Sequence, residues 1–324
     1  MIKRICWILL LSIMLFGCRE LESDALINST DQIGILELKS INNRFHHQIF
    51  SIAQLTPTVL LAGGDTGRMF KISTSTENFE SYSPLGEAGN IIALQAADSL
   101  KIVLLNSNSE IGLSTDGGFN WQNWTGNLDS IIILALYHQT STKYFYIGTS
   151  NGLIYRRSFA DTCWNQITNL YRPVTSFTSF DSMTLYAGTW SSGVFKINLQ
   201  TYLGERISSG LLNPYIQSLH AGMNNKLFAG SYGGGVFCSS NMGISWYNYS
   251  KVFDTCNITG INTTSNNDLI ASTTSKLYFI KNNSTMASVG IVDSTNILIN
   301  ALFIGNNDLI YVGTNEGIFH VIQR

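Results

Sequence analysis

One pattern recurs seven times along this chain and constrains the fold more than any other feature. An apolar, β-prone run, a short reversal rich in Gly, Ser and Asn, and a second apolar run appear as VLLAGGDTGRMFKI, KIVLLNSNSEIGLS, YFYIGTSNGLIYRR, TLYAGTWSSGVFKI, KLFAGSYGGGVFCS, DLIASTTSKLYFIK and LIYVGTNEGIFHVI. The reversals begin at Gly63, Asn106, Gly148, Gly188, Gly230, Ser272 and Gly313, with spacings of 43, 42, 40, 42, 42 and 41 residues. A fixed period near 40 marks a repeat architecture in which no unit can bury its apolar faces alone. About 15 residues before a reversal lies a further apolar run, among them IIALQA, IIILAL, VTSFTS, YIQSLH, ITGINT and ILINALF. A fourth, more variable strand follows each pair.

Four strands at this period make a propeller blade. The expected fold is therefore all-β: a seven-bladed β-propeller with four antiparallel strands per blade, spanning residues 33–324. The chain ends at Arg324, just after the third strand of the last unit. The missing strand is expected from IGILELKSIN, residues 33–42, which would close the ring and remove exposed sheet edges.

Two units carry a second signature between their third and fourth strands. Residues 114–121 read STDGGFNW and residues 239–246 read SSNMGISW. The first fits S-x-D-x-G-x-x-W through Ser114, Asp116, Gly118 and Trp121. The second fits through Ser239, Gly243 and Trp246, with Asn241 in place of the acid. Trp164 falls at the same blade position in a third unit. This style resembles the Asp-box, or bacterial-neuraminidase-repeat, propellers, whose relatives include sialidases, sortilin-type receptors and photosystem II assembly-factor-like lipoproteins. The resemblance implies a structural role for the boxes: Asp116 accepting N–H bonds inside its own turn, as short acids do, and Trp121 packing between strands on the rim, away from the ligand face.

The first seventeen residues, MIKRICWILLLSIMLFG, precede Cys18. Lys3 and Arg4 supply a basic start, and the run Ile5 to Phe16 is shorter than the roughly 20 apolar residues that span a bilayer. A basic start, a short apolar run and a small residue before the cut describe a secretory signal. Leu15-Phe16-Gly17-Cys18 resembles the bacterial lipobox, with Phe16 where a small residue is usual. That resemblance implies a signal peptide over 1–17, lipidation at Cys18, a polar tether over 18–32 and a cell-envelope lipoprotein at the outer membrane, on its periplasmic or surface face. Membrane attachment would be by lipid only. The acids Glu20, Glu22 and Asp24 are similar to surface-export signals of some Gram-negative lipoproteins. Export permits disulfides. Cys163, Cys238 and Cys256 are odd in number, and Cys238–Cys256 is the nearest pair, its geometry left open by sequence.

Charged residues make up 12% and the net charge is −2, so a basic nucleic-acid surface is not expected. A sialidase would need three convergent arginines. Its N-terminal Arg-Ile-Pro motif is missing, and only Arg68 and Arg172 fall on turns at one face. Other glycoside hydrolysis needs two carboxylates about 5–10 Å apart. Asp65, Glu110 and Glu316 lie on turns of blades one, two and seven, which are ring neighbours. His46 and His47 point to opposite faces of one strand, His138 and His220 occupy equivalent places in units three and five, and His320 sits in the last strand, so no metal site is expected. No cofactor motif occurs; SYGGGVF lies between strands, not before a helix.

By fold analogy, propeller ligands sit on the face built by turns between second and third strands and by links between blades. Those turns carry Asp65, Arg68, Glu110, Asn151, Trp190, Tyr232 and Glu316; the links add Arg172 and Tyr215. Large aromatics on Gly/Ser-rich turns suit protein or carbohydrate contact. The expected function is a non-catalytic scaffold that binds an envelope protein or glycan, similar also to the sensor propellers of two-component regulators. The alternative is a divergent, sialidase-like hydrolase on the same ring. The sequence fixes no oligomeric state.

Overall fold

The computed structural model describes residues 36–41, 47–86, 89–249, 253–281, 287–291 and 297–323. The signal segment 1–17, Cys18, the tether 18–32, Arg44 and His46 lie outside the described residues. Seven four-stranded antiparallel sheets form the body. In blade 1 the strands run Ile49–Thr56, Val59–Gly64, Met69–Ser73 and Phe79–Tyr82 from the axis outward. Blade 7 is composite. Its first three strands are Ile299–Ile304, Ile310–Thr314 and Gly317–Gln323, and its outermost is Leu36–Ser40. Ser40 pairs with Phe319 and Leu36 with Gln323, so the start of the described chain completes its end. The first strands of neighbouring blades touch all the way round, including blade 7 against blade 1. The Asn306 amide donates to Gln54 Oε1 at 2.8 Å across that last junction.

The apolar core lies between blades. Seven clusters of buried side chains occur among the described residues, and each joins one blade to the next. Leu61 and Met69 of blade 1 meet Ile91, Leu94 and Leu104 of blade 2. Tyr311 and Ile318 of blade 7 meet Ile49, Leu60 and Phe70 of blade 1. Second and third strands are therefore apolar on both faces: Ile102–Asn106, Leu227–Ser231 and Gly235–Ser239 are buried at every position.

Close approach between blades explains the repeating glycine. A Cβ on Gly188 would stand 2.7 Å from Ile216 Cγ2 of the next blade, and one on Gly230 2.6 Å from Ile258 Cγ2. On Gly313 it would stand 2.6 Å from Ile49 Cγ2, at the closing junction. The pairing register corrects one alignment: Leu105, not Asn106, stands opposite Ala93 as Gly63 stands opposite Ser51. There a side chain fills the position, and the junction that follows holds Trp124, Phe145 and Trp164 in the largest of the seven clusters.

The disulfide suggested by proximity is absent: Cys238 and Cys256 are not bonded to each other. Gly235 N–H donates to Cys256 O at 3.1 Å, at the start of the third strand of blade 5. Cys238 lies three residues further down that strand, about 10 Å away at the rise of an extended chain, beyond the usual reach of a disulfide. Cys256 Sγ instead lies 3.8 Å from Tyr278 Oη.

The junction packing generates a prediction. Gly188→Val should lower unfolding free energy by about 1–3 kcal/mol through overpacking, measured by urea denaturation. An unchanged midpoint would mean that the blades do not approach as closely as described.

Candidate functional site

Antiparallel strands place the turns between second and third strands on one face, together with the links that lead into the next blade. On that loop face, blades 4 and 5 and the link between them bring three aromatic side chains together. The Trp190 ring lies 5.4 Å from Tyr215 at an interplanar angle of 65°, and 5.6 Å from Tyr232 at 55°. Trp190 and Tyr215 also form an isolated backbone bridge. Tyr215 is 40% exposed, while Trp190 and Tyr232 are half-buried.

The backbone beneath is tied at every step. Trp190 N–H donates to Pro173 O at 2.9 Å, Gly193 N–H to Pro214 O at 2.9 Å, and Tyr232 N–H to Tyr215 O at 2.8 Å. Asn213 Nδ2 donates to Tyr232 O at 2.9 Å, and its Oδ1 accepts from Tyr215 N–H at 3.0 Å. Two of the chain's four prolines, Pro173 and Pro214, thus supply acceptors and restrict the links by their fixed φ. Gly193, at φ +76°, closes the blade 4 turn, where Thr189 Oγ1 donates to its carbonyl at 2.8 Å.

Two arginines converge on the same turn. Arg172 Nε donates to Ser192 Oγ at 3.2 Å and its Nη1 to Tyr171 O at 3.0 Å. Arg206 Nε donates to Ser192 O at 2.7 Å. Arg206 was placed in no site by sequence. It ends a fourth strand of only three residues, Gly204–Arg206, whose register no local pattern reveals.

The other residues of this face are engaged separately. Asp65 opens a single 3₁₀ turn, Asp65–Gly67, and its carboxylate lies 4.0 Å from His47 Nδ1. Arg68 N–H closes that turn on Asp65 O at 3.0 Å. Glu110 Oε2 accepts from Asn106 Nδ2 at 2.6 Å. Asn151 Oδ1 accepts from Thr149 Oγ1 at 2.6 Å. Glu316 is exposed, its N–H bonded to Thr314 Oγ1 at 3.0 Å. Asp65 and Glu110 therefore answer to different partners.

The two S-x-[DN]-x-G-x-x-W segments occupy turns between third and fourth strands, on the opposite face. Ser114 Oγ donates to Asp116 Oδ1 at 2.8 Å and accepts from Gly118 N–H at 2.9 Å. Asp116 accepts from the N–H groups of Phe119, at 3.0 Å, and Asn120, at 2.9 Å. These bonds, led by those from Asn120, lower its pKa to about 2. Ser239 and Asn241 repeat the arrangement: Gly243 N–H reaches Ser239 Oγ at 2.8 Å and Ser245 N–H reaches Asn241 Oδ1 at 2.9 Å. Trp121 Nε1 donates to Gly118 O within its own turn, at 3.0 Å. Trp246 and Trp164 reach instead into the preceding blade, donating to Ile207 O at 2.6 Å and Trp124 O at 3.0 Å.

His138 and His220 are not equivalent, because a one-residue difference in register separates them. His220 pairs with Phe228 two residues before Gly230, whereas Tyr137 pairs with Tyr146 two residues before Gly148. His220 and Tyr137 accordingly both reach forward, to Thr263 at 2.9 Å and Ser179 at 2.8 Å. Burial lowers the His220 pKa to about 4. No group of three or more metal-ligating side chains occurs among the described residues.

The fold and this face define a seven-bladed propeller with a rigid aromatic cluster on its loop face. Solved structures share the architecture. YCF48 from Cyanidioschyzon merolae superposes with a TM-score of 0.70 at 13% identity, over 88% of this chain and 98% of that one. Virginiamycin B lyase from Staphylococcus aureus gives 0.75 at 10% identity, over 90% and 99%. An extracellular domain from a candidate one-component system of B. thetaiotaomicron gives 0.68 at 16% identity, over 88% and 39%. At these identities the likeness is one of fold. No family model and no curated protein matches the chain.

Asp116 supplies a pH-dependent prediction. Its folded carboxylate stays ionised to about pH 2, below its ordinary 3.8. Its contribution is therefore complete above the unfolded pKa and lost as pH falls through the folded one. Asp116→Ala should lower the thermal midpoint at pH 7 more than Asp116→Asn, since Asn241 serves in blade 5. Both variants should lose less than the wild type between about pH 5 and pH 2. Identical pH curves for all three would remove Asp116 from the account.

Proposed function

We propose that this chain is a non-catalytic binding or assembly scaffold of the bacterial cell envelope, holding a protein or glycan partner on the loop face of blades 3 to 5. One observation carries the proposal: Trp190, Tyr215 and Tyr232 are fixed together by backbone bonds, yet Tyr215 remains 40% exposed. A rigid aromatic cluster at a surface suits binding, because little ordering cost remains when a partner arrives. Two related folds support a partner-binding role. YCF48 has been solved bound to a D1 peptide, and propellers serve as extracellular domains of sensor systems. The two box segments, with matching serine and Asp/Asn bonding, support placing the chain among bacterial-neuraminidase-repeat propellers.

In this proposal Cys18 carries lipid and residues 18–32 form a tether at the outer membrane. Strand direction suits that arrangement. Leu36 pairs with Gln323 and Ser40 with Phe319, while Gly317 borders a loop-face turn. Leu36 therefore stands at the face opposite the aromatic cluster, and a tether joined there would leave the loop face open.

The two halves of the proposal are tested separately. Metabolic labelling with a radioactive fatty acid should mark the wild type and not Cys18→Ala; labelling of both would refute the anchor. Crosslinking in intact envelopes should give a defined adduct that Trp190→Ala/Tyr232→Ala abolishes while the melting temperature holds. An adduct that survives the double variant would place binding elsewhere.

A further inference from the structure

The aromatic cluster has a shape and a charge that select among partners. Its rings pack directly on one another, with centroids 5.4 and 5.6 Å apart and planes inclined by 55–65°, so they present an uneven aromatic surface and not a flat platform. Stacked sugar rings need a broad, flat aromatic face; an uneven surface of packed Trp and Tyr rings suits instead the irregular side chains of a protein partner, as at a protein hot spot.

Charge narrows the choice further. The segments around the cluster, residues 170–173, 189–193, 206–215 and 231–235, contain two arginines and no Asp or Glu. Arg172 and Arg206 are both exposed. Each uses its Nε on Ser192, which holds it on the turn that carries Trp190. Among the described residues, Nη2 of Arg172 and both Nη groups of Arg206 make no protein hydrogen bond. These planar donors are anchored at one edge and open at the other, and they match carboxylates in fork geometry. The N–H groups of Trp190, Gly193, Tyr215 and Tyr232 are already satisfied, so recognition falls to side chains.

We infer that the cluster binds an acidic, extended segment of a partner protein, one apolar side chain packing against the exposed ring of Tyr215 and flanking carboxylates meeting Arg172 and Arg206. This rests on the scaffold proposal and deepens it: the partner is protein, its recognised segment anionic, and complementary charge should set association rate and specificity.

The test uses the full mature chain and synthetic 12-residue peptides with a central Leu-Trp pair flanked by Asp and Glu, by Lys and Arg, or by Ser. Binding is read by fluorescence anisotropy, with a glycan array in parallel. The acidic peptide should bind most tightly, weaken as salt rises, and lose about tenfold or more in affinity with Arg172→Glu/Arg206→Glu. Trp190→Ala/Tyr232→Ala should abolish it. Arg172 and Arg206 lie at the surface and Trp190 and Tyr232 are half-buried, so matching melting temperatures are required to establish that each variant is folded. Equal binding of acidic and basic peptides, no effect of charge reversal, or binding only to glycans would overturn the inference. If the aromatic variant still abolishes the envelope adduct in those cases, the scaffold proposal stands without it; if that adduct survives, the scaffold proposal fails as well.

Discussion

Apolar contact between adjacent sheets is the constraint on which everything else in this molecule rests. Each blade has two oily faces and cannot shield either one. All seven buried clusters straddle a junction, and the one between blades 7 and 1 closes the ring. Burial of this kind contributes roughly 25 cal/mol for each Å² removed from water, so an open junction would expose two sheet faces at once. That explains why Leu36–Ser40 is recruited from the start of the chain to finish the last blade. It also explains glycine at the end of the second strands, where a branched side chain of the next blade comes within 2.7 Å of a virtual Cβ.

A ring held this way leaves its turns free to vary without loss of the core. Blade 4 uses that freedom to place Trp190 on a Gly- and Ser-rich turn. The neighbouring links, stiffened by Pro173 and Pro214, set Arg172 and Tyr215 beside it. The opposite face works differently. Its Ser114–Asp116 and Ser239–Asn241 turns consume their polar groups internally. Trp246 and Trp164 spend their indole N–H groups tying blade to blade. One face turns its polar groups inward; the other leaves guanidinium donors and the Tyr215 ring exposed.

Much of this was legible in the sequence, for physical reasons. The period near 40 and the glycine reversals record a constraint repeated at every junction, so they survive divergence elsewhere. Trp190 and Tyr232 stood out because large rings on small-residue turns have no core to fill. Fourth strands left no such trace: Gln122–Asn123 and Tyr247–Asn248 are two residues long. Arg206, at the end of another short one, carries no sequence signal of its place. Register was the other blind spot. A one-residue difference separated His138 from the true counterpart of His220, and another put Leu105 where Asn106 had been aligned. Cys238 and Cys256 are near in sequence but lie along the length of a strand from each other, a distance that spacing alone does not reveal.

Amide hydrogen exchange followed by mass spectrometry tests the closed ring most directly. If junction packing holds the wheel as one unit, the peptide containing Leu36–Ser40 should show protection comparable to its partner strand Gly317–Gln323 and to the buried second strands of the other blades. Exchange of residues 36–40 at the rate of open chain, with the remaining strands still protected, would contradict a ring closed by that strand.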